Sequence, residues 1–245
     1  RSMQNNNKNI QRFLAAIGLG GLPPVTLSLI IITALAYILQ SLSNLVFGFD
    51  VMLLVGAKIN QFILQGEVWR FITPVFLHAS VLHILFNMYA LYRIGPMLEG
   101  KYGTKRFLVL YFISGLWGNT FSFLFSTKAS LGASTAIFGL IAAQGIFIYQ
   151  NRDLFGSAAR PLLTNVIVII SLNLVLGLSP GIDNWGHFGG LLGGSIFAWF
   201  AGPAYNMFDS PVGTRYLVEN RRQVGLIALG EGITAIVLIS IRFLR

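Results

Sequence analysis

Ser134 lies in Gly132-Ala133-Ser134-Thr135-Ala136-Ile137-Phe138-Gly139, flanked by small residues and opening an apolar helical run that continues to about Tyr149. A serine at a helix N-terminus has backbone N–H groups beside it that lack intrahelical partners. The helix dipole adds positive potential there, and both favour a developing negative charge. That suits acyl transfer, but a serine hydroxyl is a poor nucleophile until a base takes its proton. The chain has three histidines, His78, His83 and His187, and no cysteine, so thiol nucleophiles, disulfides and thiolate metal sites are excluded. Plainer readings compete. Ser134 suits a helix cap or a close helix contact, and each histidine suits a hydrogen-bonded packing role. Three histidines can also bind zinc. No carboxylate lies among them at ligand spacing, so neither a metal nor another cofactor is expected. Serine paired with histidine is the favoured arrangement, because a buried imidazole tends to stay neutral, the form a base requires. Asn87, four residues after His83 and on the same helix face, adds an amide donor for an oxyanion. No Asp or Glu falls in the spans near these residues, and Asp183 lies in a loop one turn before His187. The reading is therefore a Ser-His dyad, with Phe138 one turn after Ser134 and placed to stack on the imidazole.

The elements that must position these residues are membrane spans. Of 245 residues, 55% are hydrophobic and 10% charged, against about 25% charged in a soluble domain. This composition gives a polytopic membrane protein rather than a soluble domain with an anchor. The net charge of +9 would suggest nucleic acid in a soluble protein. Here the basic residues sit in short loops between apolar runs, so they set membrane topology and no nucleic-acid partner is expected. Residues 1–22 are polar, basic and then Gly-rich; Arg1-Ser2 ahead of Met3 reads as a cloning remnant, and no signal peptide is expected. Pro23-Pro24 open a first span over 25–47. A long connection over 48–81 follows, read as lying partly in the interface, with Trp69-Arg70 at headgroup level and the guanidinium seeking phosphate. Further spans are expected over 82–97, 107–125, about 133–149, 161–178, 187–201 and 224–241, each near the roughly 17–25 residues that cross a bilayer. A polar stretch over 203–222 precedes the last span, inside which Glu231 is expected to face the bundle, without an assigned role.

With seven spans, 12 of the 17 Lys and Arg fall on the N-terminal side, and Lys58, Arg70, Lys128, Arg242 and Arg245 on the other. The positive-inside rule then puts the N-terminus in the cytoplasm. Spans two, four and six start on the outer side and carry His83 with Asn87, Ser134, and His187, so distant residues converge on one depth. In the sixth span Gly186, Gly190 and Gly194 form a small-xxx-small stripe. The fourth offers Gly132, Ala136, Gly139 and Ala143, and packing the two faces would bring His187 beside Ser134.

The chain resembles the rhomboid family of intramembrane serine proteases. The resemblance is carried by Trp69-Arg70, His78 and His83 with four residues between them, Asn87, Gly132-Ala133-Ser134 with Phe138, and His187 with Gly190 and Gly194. It covers about residues 66–200. It implies an all-α polytopic fold, a six-helix bundle plus a seventh C-terminal transmembrane helix. It implies Ser134 as nucleophile and His187 as general base. Asn87, His83 and the Ser134 N–H would form the oxyanion site, and His78 would be structural or supporting. The family's usual Gly-x-Ser-Gly reads Gly132-Ala133-Ser134-Thr135 here. The expected organisation is a cytoplasmic segment over 1–22, a catalytic core over 23–203 with its outer loop 48–81, and a cytoplasmic loop with the seventh helix over 204–245. The expected substrates are single-span membrane proteins cut near the outer leaflet of a bacterial plasma membrane, or of a plastid membrane. The competing readings are a catalytically silent member that binds membrane clients and, more remotely, a transporter or seven-helix receptor. Silent members typically lack the serine or histidine. No lysine follows Lys128 to carry a retinal, and no inverted repeat is visible.

Overall fold

The computed structural model describes residues 21–209, 215–219 and 223–243. Most of the expected N-terminal segment and the basic residues Arg1, Lys8, Arg12, Arg221, Arg222 and Arg245 lie outside the described residues. The long helices are α1 (Pro24–Phe47), α4 (Val81–Tyr102), α5 (Thr104–Phe125), α6 (Ser134–Gln150), α8 (Ala159–Leu176), α9 (Asn184–Ala201) and α10 (Val224–Phe243). Short helices α2 (Val51–Gly56), α3 (Asn60–Leu64) and α7 (Arg152–Phe155) occupy connections. Pro24–Phe47, Thr104–Phe125, Arg152–Leu176 and Val224–Phe243 are long and apolar enough to cross a membrane. The apolar α6 is shorter, at 17 residues, and sits at the centre of the molecule, with 11 of its residues from Thr135 to Ile148 buried.

Helix ends follow local chemistry. Pro23 and Pro24 give α1 no side-chain cap of its own. The buried Glu99 carboxylate of α4 supplies one instead, accepting from the N–H groups of Val25 and Thr26 at 3.0 and 2.7 Å and from the Thr26 hydroxyl at 2.8 Å. Ser80 caps α4 by accepting from His83 N–H at 3.2 Å. That helix continues through Pro96 to Tyr102, well beyond the apolar run expected to end at 97.

Backbone contact between α6 and α9 forms the heart of the bundle. A Cβ on Gly190 would stand 1.9 Å from Thr135 O, one on Gly194 2.3 Å from Gly139 Cα, and one on Gly139 2.8 Å from Gly190 O and 2.0 Å from Ser114 Oγ of α5. No side chain fits at these crossings, which is why three glycines occupy them. Gly186 is looser, 3.2 Å from Thr135 Cγ2 by the same measure. Gly132 is a correction to the expected stripe. It precedes α6, has φ +122°, and faces the His83 ring rather than α9.

The connection over 48–81 is folded by its own polar groups. Arg70, expected to reach lipid phosphate, is instead 2% exposed. Its guanidinium donates to Ala57 O at 2.6 Å, Leu54 O at 2.7 Å and Glu67 Oε2 at 2.7 Å, and stacks over Phe62 at 4.6 Å. A planar fork of donors can close three loop segments at once, so it pins the loop. Trp69 beside it is half exposed and donates to Val55 O. Lys58 is fully buried and donates to Lys128 O at 2.8 Å, and its backbone pairs with Ser130, tying this loop to the one before α6. Burial lowers its pKa to about 8 against the opposing pull of Asp183.

The polar stretch after α9 holds a feature the sequence does not signal, an antiparallel hairpin of β1 (Tyr205–Asp209) and β2 (Arg215–Glu219). Its anchors include Tyr205 N–H to Asn151 Oδ1 at 2.8 Å, the Tyr205 hydroxyl to Lys101 O at 3.4 Å, and an ion pair between Glu219 and Arg106 at the start of α5. In α10 only Glu231 and Ala235 are buried. Glu231 faces inward as expected, with neither carboxylate oxygen bonded among the described residues.

Candidate active site

Ser134 is the first residue of α6, and its side chain does not cap the helix. Its Oγ instead lies 3.0 Å from His187 Nε2, hydrogen-bonding distance between groups 53 residues apart. The imidazole is held on two sides. Phe138 stacks on it nearly parallel, with centroids 4.4 Å apart and planes 15° apart. Asn184, one turn back on α9, places Oδ1 3.3 Å from His187 Nδ1. The Asn184 amide donates from Nδ2 to Leu174 O at 3.0 Å, so its oxygen is the atom left to face the ring. An accepting oxygen there selects the tautomer with hydrogen on Nδ1 and a lone pair on Nε2 toward Ser134. Asp183, before it, shares a hydrogen bond with Ser122 of α5, fixing the start of α9.

On the other side of Ser134 two histidines stand edge to face, their centroids 4.9 Å apart. His83 Nδ1 accepts from Ala79 N–H at 3.4 Å, which leaves hydrogen on Nε2. That edge of the ring meets Gly132: a Cβ there would lie 2.8 Å from both Nε2 and Cε1. Only glycine combines a φ of +122° with this contact. Gly132 N–H donates to Pro74 O at 2.9 Å. His78 is 1% exposed. Its Nε2 accepts from Ala133 N–H at 3.4 Å, and Gln40 of α1 brackets its backbone through both its N–H and its carbonyl. Burial, with the nearby His83, lowers the His78 pKa to about 4, so the ring is neutral at physiological pH. Asn87 is buried and donates one amide hydrogen to His83 O at 2.9 Å, leaving its second for another acceptor. Thr135 keeps ordinary helical backbone, since no non-glycine residue among those described has positive φ. Its buried methyl packs against Gly118 and Gly186.

A rhomboid-domain family model matches residues 65–204, more than half of the chain. The chain belongs to the rhomboid family. It is 40% identical over 185 residues to rhomboid protease GluP of Bacillus subtilis (strain 168), covering 75% of this chain and 36% of that protein. It is 32% identical over 179 residues to the chloroplastic RHOMBOID-like protein 9 of Arabidopsis thaliana, covering 73% and 39%. It is 39% identical over 164 residues to rhomboid-like protease 1 of Toxoplasma gondii, covering 64% and 54%. The chain thus spans from about a third to about half of the length of these curated relatives. Family and apolar helices together make this rhomboid an integral membrane protein.

The rhomboid bundle brings Ser134, His187, Phe138, His83, His78 and Gly132 into one cluster, with Asn87 bonded beside His83. The sequence reading leaves the Nδ1 side of His187 without a partner. Asn184 occupies it, and a signal exists: an amide three residues before a histidine shares its helix face. The Gln40 clamp on His78 gives no such signal, because it depends on where α1 packs.

Proposed function

We propose that this rhomboid is an intramembrane serine endopeptidase using a Ser134-His187 dyad. The observation carrying the reading is the 3.0 Å contact between Ser134 Oγ and a lone pair on His187 Nε2, in a ring oriented by Phe138 and Asn184. His187 takes the hydroxyl proton as Oγ attacks a peptide carbonyl and returns it to the departing amine. The negative charge gathers on the carbonyl oxygen. It meets the first-turn N–H of Ser134, the second amide hydrogen of Asn87 and His83 Nε2–H. His78 stays neutral and holds the Ala133 N–H, so it supports the loop rather than moving a proton.

The substrates in this reading are single-span membrane proteins cut near the outer leaflet, with the N-terminus of the enzyme cytoplasmic. The core spans 23–203, and 204–245 add a cytoplasmic loop and a seventh helix. The likeness to GluP, a rhomboid protease by name, supports the chemistry. Ser134→Ala and His187→Ala should each abolish cleavage of a reconstituted single-span substrate, and the double variant should be no worse, because the two act as one unit. Fluorophosphonate should label the wild-type protein at Ser134 and leave the Ser134→Ala variant unlabelled. Cleavage by Ser134→Ala at the wild-type rate removes the nucleophile; a wild-type protein that neither labels nor cuts supports the silent, client-binding reading. Cysteine substitutions at Lys128 and Lys105 test orientation, with an impermeant reagent expected to reach only the first from outside.

A further inference from the structure

A crevice of about 500 Å³ opens where the C-terminal end of α10 meets the end of α5, a size that accepts a ligand. Leu64 of α3, Leu124 and Phe125 of α5, and Leu238, Ile241 and Arg242 of α10 line it. Five of these six are apolar, and Leu64, Phe125 and Ile241 are exposed. Both α5 and α10 end here, at Phe125 and Phe243, so the crevice sits where hydrocarbon gives way to headgroups.

Its sixth wall is a cation. Arg242 Nη1 donates to Leu124 O at 3.1 Å, and the guanidinium carbon lies 5.6 Å from the Phe123 ring centre. These contacts hold the guanidinium in place yet use one of its nitrogens. Among the described residues no carboxylate pairs with it. Only Glu231 and Ala235 of α10 are buried, and Val224, Ile227, Ala228 and Ile239 pack against the core partly exposed.

We propose that this crevice binds one anionic phospholipid, its phosphodiester on Arg242 and one acyl chain between α5 and α10. A guanidinium fork matches two phosphate oxygens, and a stem anchored on apolar walls points it to headgroup level. A zwitterionic lipid would bring an ammonium beside the Arg242 guanidinium, which no carboxylate among the described residues balances. Because the walls come from α3, α5 and α10, the lipid joins the outer loop, the core and the seventh helix.

The full chain, purified in neutral detergent, is titrated with dioleoylphosphatidylglycerol, dioleoylphosphatidylcholine or inorganic phosphate. Retained lipid is counted by native mass spectrometry and Tm is read in parallel. The expected result is one retained phosphatidylglycerol and a raised Tm at concentrations where the other two do nothing. Ile241→Trp, which fills the crevice and keeps the guanidinium, should lose both effects, and so should Arg242→Gln. Arg242→Lys should weaken retention several-fold. Equal retention of the two lipids, an equal effect of free phosphate, or retention that survives either Ile241→Trp or Arg242→Gln overturns the proposal. Should Arg242→Gln fail to fold, Ile241→Trp and Arg242→Lys decide it.

Discussion

Two asparagines flank the reacting pair and do different things. In the proposed mechanism the second amide hydrogen of Asn87 meets charge that exists only in the transition state. Asn87→Ala should therefore lower kcat by about 10²–10³ and leave KM nearly unchanged. A variant turning over at the wild-type rate takes Asn87 out of the oxyanion site. Asn184 has a different part in that proposal: with Oδ1 facing Nδ1, it sets which nitrogen of His187 carries the hydrogen. Its contact is long, 3.3 Å, and one such bond contributes about 1 kcal/mol, so Asn184→Ala should cost roughly fivefold in kcat. Structural damage alone would also lower kcat. The discriminating readouts are the pH dependence of kcat/KM, whose low-pH limb, set by the base, should shift as the imidazole loses its partner, and partial rescue in Asn184→Asp. An unchanged pH profile would mean that Phe138 stacking alone orients the ring. Both residues are within reach of sequence reasoning, yet only Asn87 stands out there. A search for the partner of a catalytic histidine looks first to acids, and the nearest acid, Asp183, hydrogen-bonds to Ser122 instead.

Helices α6 and α9 bring His187 Nε2 to 3.0 Å from Ser134 Oγ because glycine lets their backbones touch. Gly190→Ala puts a methyl within 1.9 Å of Thr135 O, and backbone cannot yield as a flexible side chain can. Overpacking of this kind costs typically about 1–3 kcal/mol or more, and the displacement acts directly on the distance from His187 to Ser134. The expected outcome is a lowered Tm together with a loss of activity larger than the Tm change explains. Gly225→Ala in α10, where nothing lies within 4 Å, is the matched control and should keep full activity without lowering Tm. Equal behaviour of the two variants would show that the glycine contact does not set the site. The stripe is legible in sequence because period-four small residues signal close packing whatever the partner. Gly132 is wrongly included in it because a glycine just outside a helix looks the same in sequence as one inside. The strand pair over 205–209 and 215–219 escapes notice because two five-residue strands carry almost no periodic signal. Arg70 reads as a lipid contact because an arginine beside a tryptophan at a span edge has that meaning on average. Its carbonyl and carboxylate partners come from a loop whose path only the fold defines.

At the scale of the whole molecule, the starts of α4, α6 and α9 meet at one level, and the groups of the proposed catalytic site lie at helix ends rather than at mid-span. That placement bears on what can be cut. In an intact membrane helix every backbone carbonyl is bonded within the segment and screened by side chains, so Ser134 Oγ cannot reach a scissile carbonyl until the substrate unwinds. In hydrocarbon the freed N–H and C=O groups have no partners, and each costs several kcal/mol. Near the helix ends water is close, and His83, Asn87 and the first turn of α6 offer polar partners. Ser134 and His187 are each only partly buried, which leaves a path for the hydrolytic water. Unwinding is also easier where the substrate helix propagates poorly, as it does at glycine, about 1 kcal/mol below alanine, and at proline, about 3 kcal/mol below. The expected substrates carry such a residue close to the cut. Replacing it with leucine in a single-span substrate reconstituted with the enzyme should slow cleavage by roughly fivefold for a glycine and by more than about a hundredfold for a proline, if the full propensity difference enters the barrier. KM should move less than kcat, since the unwound form is reached after binding. An unchanged rate for both replacements would show that the enzyme meets its substrates already unwound, and that the depth of the site, rather than the strength of the substrate helix, selects what is cut.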